Sequence, residues 1–223
     1  MSKEKPILFN TEMVKAIMSG KKIMTRRIVK HQPPENSIIH GRVMSSTEPK
    51  NEGCVGWGPN EECVNHYSKI PYEIGQVLWV RETWAQLDMD YRAVSGKLDI
   101  QEFKGCPIAY KADNDAPEHF NYWRPSIHMP RTAARLFLKV TNIRVERLQD
   151  ITQEDIESEG LWFYSQEYRD EICKWRDCVS AIRGTRKKYF KKLWNSINSK
   201  RGYGWDVNPW VWVVEFERIE GGK

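Results

Sequence analysis

Several classes of protein are excluded by features that this sequence lacks. Its five cysteines are odd in number and show no spacing typical of a disulfide framework. It has no apolar run near the roughly 20 residues that a membrane-spanning helix needs, no internal repeat and no low-complexity tract. The segment from Met1 to Pro6 is charged and lacks the apolar core of a signal peptide. We therefore expect a soluble, reduced protein of the cytoplasm with no membrane partner.

The overall composition is that of a globular domain. Hydrophobic residues make up 40% and charged residues 29% of the 223 residues, which allows a core and a solvated surface. The net charge of +5, from 35 basic and 30 acidic residues, permits a polyanionic partner without requiring one. Ten tryptophans are many for this length, and they suit core packing as well as base stacking.

Hydrophobic patterning and turn residues predict a mixture of helices and strands. The predicted elements, in chain order, are helix 11–19, strand 23–30, strand 76–82, strand 108–111, strand 136–145, helix 152–160, helix 161–184, helix 186–197 and strand 210–219. This order predicts the α+β class, with one small, mainly antiparallel β-barrel and flanking helices. We expect a single domain over 1–223. It carries a long irregular insertion at about 31–70, rich in Pro, Asn, Ser and Gly, and a helical insertion at about 161–198.

The sequence GKKIMTRR, from Gly20 to Arg27, concentrates cations where a helix gives way to a strand. Lys22, Arg26 and Arg27 repel one another, so a polyanion or an active site would explain their proximity. Arginine suits phosphate because its planar fork binds two oxygens at once. A solvated edge strand, protected by charge from aggregation, would explain the same residues without a function.

This motif resembles the signature of the ASCH domain family. That signature is a glycine, a lysine two positions later, a Glu or Thr three after that, and an arginine two further on. The matching residues here are Gly20, Lys22, Thr25 and Arg27. The preceding amphipathic helix is similar to the family's as well.

Segments outside the motif extend the resemblance. YEIGQVLWV at 72–80 and WVVEFE at 212–217 are similar to the turn, strand and last strand of the family. WVRETW at 79–84 and WRPSIHMP at 123–130 resemble ASCH-like proteins carried by phages and prophages. The family is related to PUA domains, which are small β-barrels that bind RNA. The resemblance thus implies a PUA-like barrel and, for a phage protein, an activity in the host cytoplasm.

The resemblance also implies a possible reaction. Some small ASCH proteins are amidohydrolases that remove the acetyl group from N4-acetylcytidine, using a lysine, a threonine three residues later and a distant glutamate. Lys22 and Thr25 match the first two, and an ungapped count from the turn at 148–152 reaches Glu159. A neutral lysine can accept the proton of a threonine hydroxyl, and burial among cations favours a neutral lysine. Glu82 is the alternative acidic partner.

Two further segments could contact a nucleic acid. Where the predicted strand 76–82 ends, Trp84 could stack on a base, and a loop stiffened by two prolines could act as a lid. The candidate binding residues of these two segments are Arg81, Glu82, Trp84, Arg124, His128 and Arg131. The alternative is that the tryptophans are core residues and the charges are paired or solvated. The basic face of helix 186–197 is expected to be solvated.

Three functions remain open from the sequence. The first is binding of RNA or a modified nucleoside in a cleft lined by Lys22, Thr25, Arg26 and Arg27. The second is hydrolysis of an N4-acylated cytidine, and the third is a phage accessory protein that acts through a protein partner. No cofactor is expected. A zinc site would need cysteines and histidines whose spacing here is irregular, so no metal is expected either.

Overall fold

The structure is a computed structural model that describes residues 4–86, 102–103, 106–113, 122–161, 165–174 and 179–220. The strands are β1 Lys5–Leu8, β2 Met24–Ile28, β3 Ile38–Arg42, β4 Cys54–Gly58, β5 His66–Lys69, β6 Val77–Arg81, β7 Trp84–Gln86, β8 Glu102–Phe103, β9 Cys106–Tyr110, β10 Phe137–Arg147 and β11 Trp210–Ile219. The helices are α1 Thr11–Met18, α2 Gln153–Ser158, α3 Gln166–Lys174 and α4 Val179–Asn198.

A five-stranded sheet in the order β1-β6-β10-β11-β2 forms the centre of the fold. Its long antiparallel pair is β10 with β11, and β1 runs parallel to β6. The start of β11 is buried on both faces, which explains its continuous apolar sequence WVWVV. The α+β class is therefore confirmed. Among the residues that the structure describes, no closed barrel is found, and the strands at the two ends of the sheet are β1 and β2.

Segment 31–70 is not irregular, so that part of the sequence prediction is wrong. β3, β4 and β5 form an antiparallel three-stranded sheet. The glycines that suggested turns are needed for close packing: a side chain at Gly58 would overlap the Cys63 carbonyl oxygen, and one at Gly56 would approach Val64 Cγ1 to 2.9 Å. Trp57 is fully buried, with its ring 4.7 Å from that of Trp210, and joins this sheet to the central one.

The helix boundaries follow local chemistry. Asn10 Oδ1 accepts a hydrogen bond from the Met13 amide at 2.8 Å, and Thr152 Oγ1 accepts one from the Asp155 amide at 3.1 Å. The helices predicted over 11–19 and 152–160 therefore begin at or next to these caps. The helix predicted over 161–184 corresponds to α3 and the start of α4, and residues 162–164 and 175–178 lie outside the described residues. None of the described helices is both long and apolar enough to span a bilayer.

The end of α2 is joined to the start of β2. The Ile23 amide donates to the Ser158 carbonyl at 3.0 Å, and Lys22 and Glu159 form an antiparallel bridge. Gly160 follows with φ +79°, in the left-handed region. A Cβ at this position would lie 2.8 Å from the Ala16 Cβ and 3.0 Å from the Lys22 Cβ. Only glycine therefore allows α1, α2 and β2 to approach this closely.

Replacing Gly160 tests this packing. Gly20 is a matched control, because it has φ +71° and a Cβ added there would have no atom within 4 Å. We expect Gly20→Ala to lower the free energy of unfolding by roughly 1–2 kcal/mol, the cost of a left-handed alanine. Gly160→Ala should cost about 1–3 kcal/mol more because of overpacking. Urea unfolding measures both, and equal losses would contradict the packing role.

Candidate functional site

Lys22 is a fully buried cation at the junction of α1, α2 and β2. Its side chain is 0% exposed, and its Nζ donates to Glu159 Oε2 at 2.6 Å and to the Glu159 carbonyl at 2.8 Å. Burial, opposed by the Glu159 carboxylate, lowers the pKa of the Lys22 ammonium below its ordinary value. The glutamate reached by counting along the sequence is thus the one that contacts Lys22.

Arg26 holds the second oxygen of Glu159. Its Nη1 donates to Glu159 Oε1 at 3.3 Å, and its Nη2 donates to Glu146 Oε1 and to Asp155 Oδ2, each at 2.6 Å. Burial alone would lower the Arg26 pKa, but these carboxylates outweigh it and raise the pKa. Asp155 also binds Arg144, at 2.7 Å. The sequence suggested that Arg26 binds an anionic ligand, whereas its donors are occupied by three carboxylates.

A cavity of about 710 Å³ lies beside this network, between β1, β2, β5 and α4. Its size is within the range of small-molecule sites. The apolar residues on its wall come from several elements and include Ile7, Met13, Ile70, Phe190, Leu193, Trp194, Ile197 and Trp212. Thr25, Arg26, Arg27 and Glu159 also line it. Lys22 is not among the lining residues and contacts the wall through Glu159.

Thr25 is placed on this wall by the pairing of β2 with β11, where it lies opposite Val214. The residue is 4% exposed. Within the described residues, its hydroxyl has no hydrogen-bond partner, so the hydroxyl is available to a molecule in the cavity. The structure therefore brings Thr25 and Glu159 to one cavity, with Lys22 bonded to Glu159.

Basic residues dominate the charge of the cavity. Those that line it without a carboxylate partner among the described residues are Arg27, Lys30, His31, Lys69 and Arg201, here called the basic wall. Among the residues that the structure describes, the only acidic one on the lining is Glu159, which is already paired with Lys22 and Arg26. An excess of positive charge in a concave site attracts anions.

Arg27 is the most constrained residue of the basic wall. Its Nη2 donates to the Leu8 carbonyl at 2.8 Å, and its Cζ lies 5.3 Å from the centre of the Phe9 ring. Its Nε is buried with no hydrogen-bond partner. Burial lowers the pKa of the Arg27 guanidinium. The same Phe9 ring lies 5.7 Å from Lys22 Nζ, so the two cations share one aromatic neighbour.

Glu82, the alternative partner for Lys22, lies in another cluster. It is 1% exposed and accepts two hydrogen bonds from Arg135, each of 2.9 Å, while Asp113 binds the same guanidinium at 2.6 Å. Burial, only partly offset by Arg135, raises the pKa of Glu82. The alternative is therefore wrong in this structure, because the charge of Glu82 is compensated by Arg135.

The remaining predicted binding residues do not line the cavity. Arg81 donates to the Met129 carbonyl at 3.0 Å, and Arg131 pairs with Glu4 at 2.5 Å. Trp84 is 1% exposed and lies 5.2 Å from the Arg124 guanidinium, so it offers no surface on which a base could stack. His128 and Arg124 are exposed. The structure does not bring these residues to Thr25 and Glu159.

The cavity wall that α4 and the turn after it supply was not predicted from the sequence. The apolar stripe of Phe190, Leu193, Trp194 and Ile197 was visible in the sequence, but such a stripe is equally expected of a core helix. Arg201 follows the helix in a short turn, and no pattern distinguishes it from its neighbour Lys200. Only the tertiary structure shows that this part of the chain faces β2.

Comparisons of the chain with family models, curated proteins and solved structures found no match. The resemblance to ASCH proteins therefore stays a prediction, and the site must be judged from its own geometry. Within the ranges that the structure describes, no group of three or more His, Cys, Asp and Glu side chains could hold a metal ion.

The buried ion pair can be tested by stability. Glu159→Gln leaves the Lys22 ammonium without its counter-charge, and breaking a buried pair costs about 3–5 kcal/mol. Glu157, at the end of the same helix, is the control: its side chain is 55% exposed and pairs only with Arg186. Glu157→Gln should change the free energy of unfolding by less than about 1 kcal/mol. Similar losses in the two variants, measured by urea unfolding, would contradict the assigned pairing.

Proposed function

We propose that the cavity binds a nucleotide or a nucleotide unit of RNA. The observation that carries this proposal is the composition of the lining, which combines apolar residues, several of them aromatic, with the basic wall, whose members have no carboxylate partner among the described residues. A nucleotide matches this composition, because its base is planar and its phosphate is anionic. Aromatic and aliphatic side chains contact bases without strong sequence preference, and cations contact the phosphates.

Within this proposal, the cations of the motif have separate roles. Arg26 is expected to position Glu159, because three carboxylates occupy its donors. Arg27 is the cation that faces the ligand. The PUA-like barrel, the phage origin and the cytoplasmic location implied by the resemblance stay predictions, as does a protein partner.

Charge substitutions on the apolar wall test ligand binding. Ile197 lines the cavity on α4, and we expect Ile197→Glu to weaken the binding of single-stranded RNA by about tenfold or more, because it places a carboxylate beside an anionic ligand. Ile197→Lys should retain binding. Val179→Glu is the matched control, since Val179 is 64% exposed on the same helix and is not a cavity residue.

The measurement is fluorescence anisotropy with labelled RNA at several salt concentrations. Binding through phosphates should weaken as salt increases. The proposal fails if the wild-type protein binds neither RNA nor nucleotides, or if Val179→Glu has the same effect as Ile197→Glu.

A second candidate function, hydrolysis of an N4-acylated cytidine, is favoured by the 2.6 Å contact of Lys22 with Glu159 near the Thr25 hydroxyl, which has no hydrogen-bond partner among the described residues. Thr25 Oγ1 would attack the acyl carbon, and its proton would pass to Lys22. Lys22 accepts that proton only in its neutral form, which burial favours by lowering the Lys22 pKa. As the C–N bond breaks, Lys22 would return the proton to the cytidine amine, and water would then hydrolyse the threonine ester.

Thr25→Val tests this reaction because it removes the hydroxyl and keeps the shape of the side chain. Incubation with N4-acetylcytidine should release cytidine from the wild type, and the variant should be slower by at least about 100-fold. Thr141→Val is the control, because Thr141 is an exposed threonine of β10. Absence of turnover by the wild type, or full activity of Thr25→Val, would remove this candidate for that substrate.

A further inference from the structure

Arg201 is a second guanidinium on the wall of the cavity. It ends a short turn, Ser199–Arg201, that directly follows α4. Its Nη1 donates to Asn198 Oδ1 at 3.4 Å, and the Asn198 amide in turn donates to the Trp194 carbonyl at 3.3 Å. Asn198 is 6% exposed, so it gives the exposed arginine a fixed support. No carboxylate among the described residues forms an ion pair with Arg201.

Arg201 and Arg27 line the same cavity. Burial is the main cause of the lowered Arg27 pKa; Tyr72 and Glu159 oppose it, and the positive charge of Arg201 adds to it. Among the described residues, neither guanidinium group forms an ion pair with a carboxylate, and the buried Arg27 Nε has no hydrogen-bond partner. Two like charges on one cavity wall repel one another.

An anion in the cavity would reduce this repulsion. A phosphate group fits the arrangement, because its oxygens accept several hydrogen bonds and guanidinium groups bind it in a bidentate manner. Lys30 and Lys69, exposed on the same lining, add positive charge around this position.

Thr25 and Arg27 are two residues apart on β2, which corresponds to about 7 Å along an extended strand, and their side chains leave the strand on the same face. Both residues line the cavity. The base and the phosphate of one nucleotide are separated by a comparable distance.

We propose that Arg27 and Arg201 form a phosphate subsite, so that the ligand is a phosphorylated nucleotide rather than a free nucleoside. This inference depends on the proposed function, because it assumes that the cavity binds a nucleotide unit. The phosphate belongs either to a free monophosphate or to the phosphodiester backbone of RNA. Both provide the same anionic oxygens to the two arginines.

Calorimetric titration of the full chain compares ligands that differ only in phosphate. The probes are the four ribonucleosides, their 5′-monophosphates and 3′-monophosphates, and the corresponding dinucleotides. We expect at least one monophosphate or dinucleotide to bind about tenfold or more tightly than its nucleoside. Tighter binding of the dinucleotide than of both monophosphates assigns the phosphate to RNA, and the reverse order assigns it to a free nucleotide.

Matched variants locate the subsite. Arg201→Gln should remove the preference for phosphate, because it removes one of the two guanidinium groups that would bind the phosphate oxygens. Lys200→Gln removes the same charge from the adjacent residue, which does not line the cavity, and should keep the preference. Arg27→Lys keeps the charge but loses the planar fork, and should reduce the preference in part.

The outcomes separate the two proposals. Equal affinity for nucleosides and their phosphates overturns the phosphate subsite and leaves the proposed function standing. A phosphate preference that survives in Arg201→Gln, or that is lost equally in Lys200→Gln, overturns the assignment to Arg201. No binding of any nucleoside, nucleotide or dinucleotide overturns the proposed function itself.

Discussion

The burial of the Lys22 charge is the constraint on which the surrounding structure depends. An ammonium group that is 0% exposed requires a counter-charge, and Glu159 provides it from a point 137 residues further along the chain. Glu159 is a buried carboxylate itself, so Arg26 and its partners Glu146 and Asp155 complete the compensation. The end of α1, the end of α2 and the start of β2 are joined by this network, and the cavity forms against it.

Arg26 and Arg27, adjacent in the motif from Gly20 to Arg27, have different surroundings. Side chains alternate along a strand, so Arg26 and Arg27 point to different faces of β2. Both arginines line the cavity, but Arg26 meets three carboxylates, whereas Arg27 meets a backbone carbonyl and the Phe9 ring. The adjacent cations of the sequence thus have two roles: Arg26 stabilises the fold, and Arg27 remains available to a ligand.

Local patterns predicted the elements that depend on local chemistry. The starts of α1 and α2 and the strands β6, β10 and β11 follow from short-range signals, whereas Glu159 was predicted only from the resemblance. The sheet formed by β3 to β5 was missed, because Gly56 and Gly58 resemble turn residues unless their close neighbours are known. The prediction of Glu82 and Trp84 as binding residues has a similar explanation. Their partners, Arg135 and Arg124, are distant in sequence, and burial by distant residues leaves no local signal.

The strand order has a consequence for the assembly of the protein on the ribosome. β2, which carries Thr25 and Arg27, is an edge strand of the central sheet, and its neighbour there is β11, far along the chain. The motif thus obtains its sheet partner only when residues 210–219 have left the exit tunnel. Until then, Lys22 and both arginines lack the surroundings that separate them. The site cannot form until those residues have been translated.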